Sequence, residues 1–88
     1  MKNFKDLEFK IHPNGAMIGV QARLDFDNGY GVSVVRGPYT FGGEEGLYEL
    51  AVMRGGRGPV YDTPVTDDVE GHLTEEDVTN LMIQIQQL

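Results

Sequence analysis

Apolar and polar residues alternate along the first two-thirds of the chain, and only near its end do apolar residues recur at helical spacing. Leu7, Phe9 and Ile11 alternate with Glu8 and Lys10, which predicts a half-buried strand over 7–11. His12-Pro13-Asn14-Gly15 interrupts it with turn chemistry. A second strand over 16–26 places Ile18, Val20, Ala22, Leu24 and Phe26 on one face and Gln21, Arg23 and Asp25 on the other. Asp27-Asn28-Gly29-Tyr30 predicts a hairpin in which Asn28 and Gly29 fill the central positions of a type I′ turn. The third strand, 30–36, sets Tyr30, Val32 and Val34 against Ser33 and Val35. A loop with four glycines and one proline, Gly37 to Gly46, leads to a strand over 47–54. That strand is apolar on both faces, the mark of a central position or of packing on two sides. Gly55 to Gly58 then turns the chain into a short edge strand over 59–63, where Pro59 is tolerated.

Thr66 opens an acidic turn that ends near Gly71, and a helix follows over 75–87. Thr74 is a natural N-cap, and Asp77 three residues on completes a capping box. Glu75, Glu76 and Asp77 put negative charge where the helix dipole favours it, and Leu73 and Val78 stand at the positions of a hydrophobic staple. Val78, Leu81, Met82, Ile85 and Leu88 form one apolar stripe. The predicted fold is α+β: a four- or five-stranded antiparallel meander with one C-terminal amphipathic helix packed on a face, in one domain over 1–88.

Composition narrows the function classes. The 88 residues are 40% hydrophobic and 24% charged, an ordinary globular balance. A chain this short buries only about 60% of its unfolded surface, so its core is thin and self-association would help it. There is no cysteine, hence no disulfide framework and no thiolate metal site. No apolar run approaches the ~20 residues of a membrane span, and the first residues lack a signal-peptide core; both predict a cytoplasmic protein without a membrane partner. Seven basic residues against fourteen acids give a net charge of −7. All the basic residues lie at or before Arg57, where acids balance them, so residues 58–88 carry the whole excess. Such a segment attracts basic partners and repels nucleic acid.

The motifs with chemical potential are few. The glycine-rich loop lacks the Gly-Lys-Ser/Thr ending of a phosphate-binding loop. The single serine, Ser33, sits inside a predicted strand, far in sequence from His12 and His72, which disfavours a nucleophilic triad. Thr66, Asp68, Glu70, Gly71 and Asp77 fall at places resembling a calcium loop, but Thr66 and Asp77 are poor substitutes for its first and last ligands. A looser divalent site from Asp67, Asp68, Glu70 and His72 competes with the plainer reading of a solvated acidic turn and helix cap. Arg54-Gly55-Gly56-Arg57-Gly58 is a single Arg-Gly-Gly repeat between two strands, which a hairpin loop explains. Tyr39 and Phe41 are more informative, because aromatics in a glycine-flanked loop serve as anchors at protein interfaces. The alternative is that both fold back over a sheet edge.

Asn28 to Val35, Gly46 to Val52, Tyr61 to Val69 and Gly71 to Thr74 resemble a family of short hypothetical proteins of tailed bacteriophages. The resemblance implies a setting, the cytoplasm of an infected bacterium, and carries no catalytic residue. The expectation is a non-enzymatic interaction module without a cofactor. It would bind a host or phage protein with a basic surface through Tyr39, Phe41, Asp67, Asp68 and Glu70, and inhibit or modulate it. The second reading is a structural protein acting through homo-oligomerisation, as a homodimer or larger assembly.

Overall fold

A computed structural model describes residues 1–55, 58–66 and 69–88. Its centre is the hairpin-linked pair β3 (Tyr30–Arg36) and β4 (Tyr48–Arg54), matched from Tyr30↔Arg54 to Val35↔Glu49. Each strand turns alternate residues to one side, so Val32 and Val34 align with Val52 and Leu50 and form a continuous apolar face. β1 (Lys10–Ile11) and β2 (Val20–Asp25) extend the sheet on the β3 side. On the other side, β5 (Gly58–Pro59) pairs with the Met53–Arg54 end of β4, and β6 (Glu70–Leu73) with its Tyr48–Leu50 end. The sheet is antiparallel throughout, with β1 to β5 in meander order and β6 beside β4. α1 (Glu75–Gln86) is the C-terminal helix.

The α+β architecture is therefore as expected, with a six-stranded sheet where four or five strands were predicted. The extra strand, β6, falls where an acidic turn was expected to end. The predicted first and fifth strands shrink to two residues each, and the predicted 16–26 strand begins only at Val20. For the first, aromatic packing supplies the reason. Phe4 and Phe9 lie against the Tyr48 ring, at 5.1 and 5.4 Å between centroids, and draw the N-terminal segment onto the core face. Phe4–Asp6 forms a 3-10 turn there, capped by Asn3.

α1 packs on the same face. Val78, Met82 and Ile85 are fully buried against Val32, Val34, Leu50 and Val52, and each such side chain contributes about 1.5–3 kcal/mol by leaving water. The helix spans roughly 18 Å, and the N-terminal segment covers part of what it leaves. Two long-range clamps fix it, together with the bond that the Phe4 N–H donates to Thr79 Oγ1 (3.1 Å). The Gln86 amide donates to the Lys2 carbonyl (2.7 Å) while its oxygen accepts from the Lys2 N–H (2.9 Å). The Asn28 amide donates to the Ile85 carbonyl (2.8 Å), satisfying an end-of-helix acceptor.

That second clamp accompanies a correction to the hairpin. A type I′ turn needs positive φ at both central residues, but only Gly29 has it (+85°). The Gly29 N–H donates to the Phe26 carbonyl across Asp27 and Asn28, and Gly29 follows in the left-handed region, the three-residue loop arrangement. Asn28 Oδ1 accepts from the Tyr30 N–H, so one side chain shapes the turn and caps the helix.

The helix start matches expectation. Thr74 Oγ1 accepts from the Asp77 N–H (3.1 Å), and Asp77 Oδ2 accepts from the Thr74 N–H (3.0 Å). The Thr74 amide first, and its hydroxyl second, hold the Asp77 carboxyl below its ordinary pKa. A lowered folded-state pKa stabilises above the ordinary value, and the benefit is lost as pH falls through the folded value. Urea unfolding across the acid range should therefore show a shallower loss of stability for Asp77→Asn than for the native chain. At neutral pH, Thr74→Ala should cost about 1 kcal/mol.

Candidate interaction surface

The loop between β3 and β4 is stitched into a defined shape. Thr40 Oγ1 bonds both the N–H and the carbonyl of Gly37 (3.0 Å each), and Gly43–Glu45 forms a 3-10 turn closed by Gly46. The Leu47 N–H returns to the Gly42 carbonyl (3.0 Å). This loop lies against β6. The Phe41 carbonyl accepts from the His72 N–H (3.0 Å), and the Phe41 N–H donates to Glu49 Oε2 on β4 (2.9 Å). Gly71 is required at the crossing, since a Cβ there would collide with that of Phe41.

Anchored in this way, the loop holds its aromatic side chains out. Tyr39 is 75% exposed and Phe41 64%, so Phe41 meets the β6 edge at Gly71 and His72 while most of its surface stays open. Glu44 and Glu45 stand exposed beside them. Glu45 approaches His72 Nε2 at 4.0 Å, an exposed pair of small energetic weight. Of the acids predicted to join the aromatics, Glu70 is half-buried in β6, level with Leu50, instead of in an open turn. Asp67 and Asp68 lie outside the described residues.

β6 contains an irregularity that the sequence reading missed. Between the pairs Tyr48↔Leu73 and Leu50↔Glu70, Gly71 and His72 together face Glu49, a β-bulge. His72 has φ +54°, the single positive φ outside glycine among the described residues. The bulge brings the His72 backbone to Phe41 and leaves its imidazole exposed next to Glu45. No local sequence signal marks this, because the contact joins residues 31 positions apart.

The other chemical candidates resolve into structural roles. Ser33 Oγ accepts from Gln21 Nε2 (2.9 Å) across the sheet, and His12 Nδ1 accepts from the Asn14 N–H in its turn. Glu70 and Gly71 belong to a strand and Asp77 to the helix cap, so the calcium-loop reading does not fit. Among the described residues no three His, Asp or Glu side chains gather as a metal ion would need, and no helix is long and apolar enough to cross a membrane. No family model matches the chain, and neither a curated protein nor a solved structure does.

The strain at His72 is measurable. Left-handed backbone costs an ordinary residue about 1–2 kcal/mol and glycine far less. His72→Gly should therefore be more stable to urea than His72→Ala by about 1 kcal/mol, both variants having lost the same imidazole. Equal stabilities would mean that His72 is not held in that conformation.

Proposed function

We propose that the protein is a non-enzymatic interaction module that presents Tyr39 and Phe41 as anchors to a partner with a basic surface. The observation that supports this most is their exposure on a loop fastened at Phe41 by a backbone hydrogen bond to β6 and by another to the Glu49 side chain on β4. An anchor already ordered loses little conformational freedom on docking, which favours affinity. Glu44 and Glu45, with the acidic excess of residues 58–88, select a basic partner and speed its encounter. In this proposal the setting, implied by the resemblance to tailed-phage proteins, is an infected bacterial cytoplasm, where the module would bind and inhibit or modulate a host protein. That setting rests on the resemblance alone. A second reading, assembly through copies of the chain, is favoured by the exposed apolar side chains of Ile11, Met17, Tyr39 and Phe41.

Capture from bacterial lysate compares the native chain with Tyr39→Ala/Phe41→Ala. One near-stoichiometric protein should be retained by the native chain alone, and titration with that purified protein should show affinity about thirtyfold or more weaker for the variant. The variant's urea midpoint should stay close to native, since both side chains are exposed. Undiminished affinity in the variant would remove these residues as anchors.

A further inference from the structure

We propose that Asn14–Gly15 is a site of spontaneous covalent modification, deamidation through a cyclic imide, and that the helix clamp shields Asn28–Gly29 from the same reaction. Two of the four asparagines precede glycine, which has no side chain to hinder attack by its amide nitrogen. In the reaction the glycine nitrogen bonds to the asparagine Cγ and gives up its proton. The Cγ–Nδ2 bond breaks, and ammonia leaves with that proton. Water then opens the imide at either carbonyl. The products are aspartate and isoaspartate, in which the main chain runs through the side-chain carbons. Water is the one co-reactant.

The two sites are matched in backbone and exposure. Each glycine has positive φ, +116° at Gly15 and +85° at Gly29, and each asparagine is exposed. Each glycine N–H donates to the carbonyl three residues back, His12 at 2.9 Å and Phe26 at 3.3 Å. They differ in the asparagine side chain. Asn28 Nδ2 donates to the Ile85 carbonyl (2.8 Å) and the Leu88 carbonyl (3.4 Å), and Oδ1 accepts from the Tyr30 N–H (3.1 Å). Among the described residues the Asn14 side chain has no such partner; its backbone N–H donates to His12 Nδ1 (3.1 Å). Ring closure needs the carboxamide to swing onto the glycine nitrogen. Asn14 does so by turning in water, whereas Asn28 must first break its bonds to the helix end and to Tyr30, and each raises its barrier. The glycine N–H bond is the shorter at Gly15, but that one contrast is set against three bonds at Asn28. The placement also protects the core. Isoaspartate at position 14 lengthens a turn beside β1, whose Lys10 and Ile11 are exposed. At position 28 either product would turn a carboxylate oxygen toward the Ile85 carbonyl, acceptor against acceptor, and unfasten the helix.

Peptide mapping by mass spectrometry, on the native chain held at mildly alkaline pH and sampled over days, tests this. In the folded chain Asn14 should convert first, and Asn28 about tenfold or more slowly. In concentrated urea the clamp is gone, and the two sites should convert at comparable rates. Ion exchange follows the same event as an early species one charge more negative than the native chain. Asn14→Gln should abolish that species while its far-UV circular dichroism stays native. Equal rates in the folded chain, or a faster rate at Asn28, overturn the proposal. So does an Asn14 that stays intact in the folded chain while both sites convert in urea. Continued sparing of Asn28 in urea would put its protection in the local sequence and overturn the role given to the clamp.

Discussion

The structure depends on closing one apolar face of a small sheet. Val32, Val34, Leu50 and Val52 are buried away from water, and the described residues hold one α-helix to put over them. Val78, Met82 and Ile85 supply that cover, and Phe4 and Phe9, packed edge-on and tilted against the Tyr48 ring, complete it at one end. The clamps at Asn28 and Gln86 follow from the same need. With so little core to orient it, the helix is also held by hydrogen bonds to the hairpin tip and to the N-terminal segment. The Thr74–Asp77 cap sets where the helix begins, immediately after β6.

Holding β6 to β4 has a consequence for the loop beside it. The chain passes from β6 into the helix cap within one residue, and the bulge at Gly71 and His72 adjusts the register over that short distance. The same bulge turns the His72 amide outward to the Phe41 carbonyl and so fastens the glycine-rich loop. The core and the interaction surface are thus linked through four residues. The loop gains its order from backbone bonds, which leaves both aromatic side chains free to serve a partner.

What was legible in the sequence follows the range of the forces involved. β3, β4 and α1 were readable almost to the residue, since burial on one face imposes a period that propensity does not contradict. The exposure of Tyr39 and Phe41 was one of two readings open for aromatics between glycines. β6 was not readable: with four residues, a glycine and a bulge, it has no period to detect. The Asn28 turn was misjudged because local statistics see Asn-Gly, whereas here the Asn28 side chain also reaches a carbonyl 57 positions away. The shortening of the first strand was hidden for the same reason, as alternation fits a segment lying over the core as well as one paired at its edge.

The central claim is that the aromatic loop is ordered in the free protein by its attachment to β6. Amide hydrogen exchange of the native chain, resolved by residue, measures this directly. The His72 and Leu47 amides, bonded to the Phe41 and Gly42 carbonyls, should exchange at rates close to those of β4 amides. Exchange of both at the rate of an unstructured peptide, with β4 still protected, would mean that the loop floats free of the sheet, and would contradict the account.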